Sequence, residues 1–188
     1  MTIDQMRDKL KLALTEKRYN HSVGVMQTAV ALARHYGANI EKTAVAALLH
    51  DCAKNYSKSE MLELCERFGV ELDPITSQST GLIHGFLGAV LADKYYGVSD
   101  SEIYDAIYYH TVGKPDMSLM TKIIYIADGI EPNRDYEGVE RIRETAFEDI
   151  DRALILQIDS TLKSVISRGG LIHTNTIDTR NFYLKKLR

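Results

Sequence analysis

His50 and Asp51 stand side by side at the end of the apolar run Thr43-Ala-Val-Ala-Ala-Leu-Leu-His-Asp-Cys-Ala-Lys54. An imidazole and a carboxylate placed beside a core are costly unless something positive compensates the buried charge. A metal ion is such a partner, because neutral imidazole and carboxylate both ligate first-row metals. One adjacent pair is weak evidence by itself, but the chain supplies more donors of the same kind. His21 precedes the apolar stretch Ser22–Ala33, His84 opens Gly85–Ala92, and His110 closes Glu102–Tyr109. Asp128 interrupts the otherwise apolar Lys122–Ala127. Six protein ligands exceed what one catalytic ion with an open position takes. They suit two ions that share a carboxylate.

The order His, His-Asp, His, His, Asp resembles the HD-domain superfamily of metal-dependent phosphohydrolases. Within it, Arg18-Tyr-Asn-His21-Ser, His50-Asp-Cys-Ala-Lys54, His84-Gly-Phe-Leu-Gly-Ala89, Tyr109-His-Thr-Val-Gly113 and Ile126-Ala-Asp-Gly-Ile-Glu-Pro-Asn-Arg134 look like the YqeK family. A tail near Thr176–Asn181 extends the match. The resemblance implies an all-α fold of the HD type and symmetric hydrolysis of diadenosine tetraphosphate to two ADP at a di-iron centre. It also implies a ligand set: His21, His50, Asp51 and Asp128 on one ion, and Asp51, His84 and His110 on the other, with Asp51 bridging. The donor chemistry alone leaves iron, manganese, cobalt and zinc open. Two ions ~3.5–4 Å apart can activate water and clamp phosphoryl oxygens. The chain departs from the family pattern after His84, where Gly85-Phe86 replaces an expected Ala-Pro.

A polyphosphate also needs cations away from the metals. Lys54 follows Asp51 by three residues and Arg134 follows Asp128 by six; Asp51, Lys54 and Arg134 form the expected catalytic set. Arg offers phosphate a planar fork. Arg18, Thr111, Arg180 and Asn181 complete the expected substrate contacts. Tyr108, Tyr109 and Tyr125 are candidates for stacking an adenine, with ordinary packing as the competing reading. His35, in a last helical turn, reads as a surface cation favoured by the helix dipole and lies outside the site.

The elements that must position these groups read as helices throughout, with no period-2 alternation. They are expected over about 3–17, 21–36, 39–54, 58–68, 80–96, 100–111, 117–130, 137–146, 148–168 and 176–187. Thr2-x-x-Gln5, Ser57-x-x-Glu60 and Ser99-x-x-Glu102 read as capping boxes, Asn39 and Asp116 as N-caps, and Gly37, Gly69 and Gly97 as C-terminal stops. The sequence thus describes a compact helical bundle, one domain over 1–188 with a core of about 18–135 and C-terminal helices from about 136 to 188. The 69–80 connection and the tail after Arg168 look least tied to it.

At 188 residues such a chain buries roughly 70% of its unfolded surface, so neither metal nor disulfide is needed for folding. A net charge of −3 and a pI near 6.1 argue against a general nucleic-acid-binding surface. Cys52 and Cys65 read as reduced thiols. No leader is evident and no apolar run approaches the ~20 residues of a membrane span, so a cytoplasmic protein is expected; the small-nucleotide substrate is what the family resemblance implies. Oligomeric state stays open. The rival readings are an HD-type nucleotidase or cyclic-nucleotide phosphodiesterase, which a cavity sized for one nucleotide would favour, and a non-catalytic nucleotide-binding sensor, which would show no open coordination position.

Overall fold

The computed structural model describes residues 1–188 as ten α-helices and one short 3-10 turn: α1 (Ile3–Ala13), α2 (Glu16–Tyr36), α3 (Ile40–Leu49), α4 (Lys58–Phe68), the turn Thr76–Gln78, α5 (Thr80–Tyr96), α6 (Ser101–Tyr109), α7 (Leu119–Ile130), α8 (Val139–Glu148), α9 (Ile150–Ser167) and α10 (Thr174–Lys186). The all-α expectation holds. A contiguous apolar cluster of 42 buried residues runs from Met6 in α1 to Tyr183 in α10.

The centre of the bundle is α7. Nine of its twelve residues are buried, because α2, α3, α6, α8 and α9 all pack around it. Helix α2 approaches closely because the face it buries is small: Ser22, Gly24, Val25, Ala29, Leu32 and Ala33, at the three- and four-residue spacing of one helical stripe. Helix α5 buries ten residues and pairs with α4 and α6.

The local signals explain most boundaries. Both hydrogen bonds of the capping box form at Thr2 and at Ser57, and Asn39 caps α3 by accepting from Lys42 N. Gly37, Gly69 and Gly97 end their helices in the left-handed region. Four expectations need correction. The 3–17 helix breaks at Leu14, whose extended backbone turns its side chain into the core; α2 then starts at Glu16, so His21 lies in its second turn rather than at its start. Helix α3 stops at Leu49, five residues early. Asp100, not Ser99, caps α6, accepting from both Glu102 N and Ile103 N. Asp116 sits at φ 52, and Ser118 caps α7 in its place.

The two segments that look loose in the sequence are tied to each other. Asp73 accepts from Ile75 N (2.8 Å) and Thr76 N (3.1 Å), which closes the 69–80 connection. Its other oxygen lies 3.0 Å from His173 Nε2, and His173 is the N-cap of α10.

Candidate metal centre and polar cavity

His50 and His110 are placed by the same local device. Each is the C-cap of its helix, and each turns Nδ1 onto the carbonyl three residues back: Ala47 O at 2.7 Å and Ile107 O at 2.7 Å. The last carbonyls of a helix lack intrahelical donors, so the imidazole satisfies one of them and is locked in orientation. This explains why the helix stops at Leu49. His84, inside α5, faces Thr80 O with Nδ1 at 3.1 Å. A carbonyl only accepts, so Nδ1 carries the proton in all three rings and Nε2 presents a lone pair inward.

Those lone pairs converge. His84 Nε2 and His110 Nε2 lie 3.0 Å apart, acceptor against acceptor, and Asp51 Oδ1 lies 3.1 Å from the first and 3.7 Å from the second. The same oxygen is 3.8 Å from His50 Nε2, and Asp51 Oδ2 is 3.9 Å from His21 Nε2. Asp51 therefore touches all four imidazoles. On the other side, Asp128 Oδ1 lies 3.0 Å from His21 Nε2 and 3.8 Å from His50 Nε2. The Nε2 atoms of His21 and His50 are buried with no hydrogen-bond partner. Facing acceptors and orphaned buried nitrogens are costly without a cation between them. A divalent ion fits this donor set, and the ligand atoms form three overlapping groups: His21, His50 and Asp51; His50, His110 and Asp128; Asp51, His84 and His110.

The protonation states of His50, His84, Asp51 and Asp128 favour ligation. Burial pushes His50 and His84 down to about 4, which keeps them in the neutral, metal-binding form. Burial opposes ionisation of Asp51 and Asp128, yet both are held well below the usual carboxylate range: Asp51 by the ring of imidazoles, Asp128 by His21, His50 and Arg134. Burial also pushes His21 down, but Asp128 and Glu131 outweigh it and raise its pKa. Cys52, pushed by burial up to about 12, stays a thiol that donates to Gly88 O; it is no ligand.

The cluster opens into a cavity of about 1020 Å³ lined almost wholly by polar residues. Lys54, Arg18 and Arg134 all line it. Lys54 Nζ lies 3.3 Å from Asp51 Oδ1 and 3.0 Å from His84 Nε2, so one cation already rests on the edge of the cluster. Arg134 donates from Nε to Asp128 O (2.8 Å) and from Nη2 to Asp128 Oδ1 (2.6 Å), which leaves Nη1 unspent. Arg18 holds Lys54 O and, at 3.2 Å, Asn55 Oδ1. It braces the turn that carries Asp51 and Lys54.

Three expected contacts lie elsewhere. The Arg180 guanidinium is paired with Asp159 on α9, and Asn181 is exposed; neither lines the cavity. Thr111 is also absent from the lining. Its Oγ1 is buried without a partner and packs on Gly85, where an added Cβ would come within 2.7 Å of it. The Gly85-Phe86 departure after His84 thus makes room for Thr111 and leaves His84 in place. Of the tyrosines, Tyr125 is buried in the core, Tyr104 stacks on Tyr108, and Tyr108 meets Tyr109 edge-on. Tyr136 is the aromatic that lines the cavity, its hydroxyl held by Gly129 O and Gln157 Oε1, both at 3.0 Å. His35 is exposed, against Tyr36 and Phe147.

Two further residues escaped sequence reasoning. Arg143 of α8 donates to Ile130 O, Glu131 O and Arg134 O at 2.8–2.9 Å. It caps the end of α7 and fixes the turn between Asp128 and Arg134. Glu131, quoted in the motif but given no role, is buried against His21.

Comparison with known proteins follows the same lines. The HD-domain family profile matches residues 18–133. The chain belongs to the HD-domain family. It is 40% identical over 92% of both chains to a Bacillus subtilis protein named symmetrical bis(5'-nucleosyl)-tetraphosphatase, and 34% identical to a Staphylococcus aureus protein of the same name, over 97% of this chain and 95% of that one. A Clostridium acetobutylicum crystal structure, described as a predicted HD superfamily hydrolase involved in NAD metabolism, superposes with a TM-score of 0.95 at 45% identity, covering 99% of this chain and 98% of the other. No helix of this chain is long and apolar enough to cross a membrane.

Proposed function

We propose that this HD-domain protein is a symmetrical bis(5'-nucleosyl)-tetraphosphatase that hydrolyses diadenosine tetraphosphate to two ADP at a two-metal centre. The single observation that carries the metal reading is the pair of Nε2 lone pairs of His84 and His110 facing each other at 3.0 Å beside Asp51. His21, His50, Asp51 and Asp128 would hold one ion and Asp51, His84 and His110 the other, with iron favoured over manganese, cobalt or zinc. When bound, the ions supply an activated water and stabilise developing phosphoryl charge.

Charge balance supports two divalent cations. The cavity lining carries Glu16, Asp51, Glu131 and Asp135 against Lys17, Arg18, Lys54 and Arg134, four acids against four bases. A polyphosphate has no net attraction to such a surface until cations are added. The cavity stands at the top of the ~300–1,000 Å³ range of small-ligand sites, which suits a dinucleotide better than a single nucleotide and speaks against the mononucleotide reading.

The chain's own residues then have these roles. Lys54, held by the turn that Arg18 braces, presents its ammonium to a phosphoryl oxygen beside Asp51. Arg134 fixes Asp128 with two hydrogen bonds and turns Nη1 toward the phosphate chain. Tyr136, anchored by its hydroxyl, offers a ring face to a base. The oxygen of water bonds to a phosphorus at the central bridge and releases a proton to solvent, the bridging P–O bond breaks, and the two ADP products leave as anions. That leaving group requires no protonation, only positive charge within reach, which Lys54 and Arg134 contribute. The chain acts as one HD-type unit over 1–188 in the same proposal, in the cytoplasm.

Chelation followed by metal replacement tests the reading. Stripped protein should release no ADP from diadenosine tetraphosphate and should recover with iron, manganese or cobalt. Asp51→Ala should not recover. Turnover by stripped protein, or by Asp51→Ala, would sink it.

A further inference from the structure

Glu131 is the least explained acid in the molecule. It sits at the C-terminal end of α7, only 2% exposed, and touches no cation of the cavity. Its Oε1 lies 3.1 Å from His21 Nδ1. Its Oε2 accepts twice from one neighbour, from Asn133 N at 2.8 Å and Asn133 Nδ2 at 3.0 Å. The carboxylate can lie against α2 because residue 24, one turn after His21, is glycine: a Cβ there would stand 2.8 Å from Glu131 Oε2.

His21 differs from the other three imidazoles in this respect. His50, His84 and His110 each give Nδ1–H to a backbone carbonyl within their own helix. His21 gives it to a carboxylate from across the bundle. An ionised carboxylate is an acceptor only, so Glu131 draws a proton to Nδ1, while Asp128, 3.0 Å from Nε2, competes for it until a cation takes the space between them; Glu131 supplies the Nδ1–H form whose Nε2 is free to ligate. Carboxylate partners of this kind also raise the basicity of a ligating imidazole.

We propose that Glu131 is a positioning residue that holds His21 in its ligating tautomer and so sets metal affinity on the His21–Asp128 side of the centre, with Gly24 as the seat that admits it. The affinity claim rests on the two-metal reading above; the tautomer claim does not. The other side, Asp51 with His84 and His110, has no contact with Glu131 and is independent of it.

Glu131→Gln is the informative variant because it keeps shape and inverts chemistry. The two Asn133 donors need an acceptor, so the single amide oxygen faces Asn133 and the amide NH2 turns onto His21 Nδ1. His21 is then driven to the Nε2–H tautomer, which has no lone pair to offer a metal. In metal-free protein at a pH of about 9, above the ordinary histidine range, long-range 15N–1H NMR reads the tautomer directly. Wild type should show a proton on Nδ1 of His21, in competition with Nε2 facing Asp128, and Glu131→Gln should lose the Nδ1–H form and show Nε2–H alone, with the other three rings unchanged. Equilibrium dialysis against Mn2+ or Co2+ should then show one ion bound as in wild type and one weakened by about 10–100-fold. Gly24→Ala, with the carboxylate intact but displaced, should weaken the same ion and is the second route should Glu131→Gln fold poorly.

A wild-type-like tautomer in Glu131→Gln overturns the positioning claim. Equal weakening of both ions overturns the assignment to one side and marks a scaffold effect. Wild type that binds neither ion overturns the two-metal reading and the affinity claim with it, while the tautomer comparison, made without metal, still decides what Glu131 does to His21.

Discussion

Arg134→Ala should cost about 10–30-fold in kcat/KM for diadenosine tetraphosphate while both ions stay bound. The magnitude follows from what the guanidinium has left to give. Nε and Nη2 are committed to Asp128 O and Asp128 Oδ1, so Nη1 is the nitrogen left to donate to phosphate. A charge-assisted hydrogen bond is worth about 1.5–3 kcal/mol. The Arg134 side chain is 41% exposed, and water screens part of that, which puts the loss at about 1.5–2 kcal/mol, or about 10–30-fold in rate. The assay is steady-state kinetics at saturating metal, with elemental analysis of the same preparation. Arg134→Lys, which keeps the charge but loses the fork, should fall between wild type and Arg134→Ala. Unchanged kcat/KM in Arg134→Ala would reduce the residue to a brace for Asp128. Activity that fell in proportion to metal content would show that it works through Asp128 alone.

Three other outcomes follow from the same geometry. Saturating one ion at a hundred times its Kd adds about 2.7 kcal/mol of stability, so metal should raise Tm by about 5–10 °C in a chain of this length; Asp51→Asn, which removes the carboxylate shared by all four imidazoles, should abolish most of that rise, and an equal rise in the variant would contradict the bridging position. On the far side of the bundle, Asp151 receives Lys122 at 2.6 Å and Lys186 at 2.8 Å; burial opposes its ionisation, but the two ammonium groups hold its carboxyl below the usual range. A depressed folded pKa stabilises above the unfolded value of about 3.9 and is lost as pH falls through the folded one, so Asp151→Asn should cost about 2 kcal/mol at neutral pH and progressively less below about pH 4 in denaturant melts; a pH-independent difference would refute the ion-pair account. Arg180→Ala should leave kcat/KM unchanged and cost about 1 kcal/mol or less in stability, the value of a partly exposed pair; a kinetic defect would bring α10 back to the substrate.

What the sequence disclosed depended on the range of the interaction. Local signals were legible: the capping boxes at Thr2 and Ser57 and the glycine stops form as read, because they involve residues three or four apart. The six candidate ligands stood out because each lies beside apolar residues, so that a buried polar side chain had to be explained, and the fold brings the six side chains together. What failed to show was long-range. Leu14 ends a helix because the core has a place for its side chain, which nothing in the local pattern announces. Arg180 reads as a free cation until Asp159, from the preceding helix, is seen to hold it. Glu131 reads as a turn residue, since its partner His21 and its seat Gly24 lie at the other end of the matching segment. Thr111 reads as a phosphate donor, yet its hydroxyl is turned into the gap left by Gly85.

The most direct test of the central claim is the product register on diadenosine tetraphosphate. Metal-replete protein is incubated with the substrate and the nucleotides are separated by ion-exchange chromatography at early times. Cleavage at the central bridge yields ADP alone. An equimolar mixture of ATP and AMP would place the attacked phosphorus one position away and contradict the account. Inert tetraphosphate, with rapid release of inorganic phosphate from a mononucleotide, would contradict it as well.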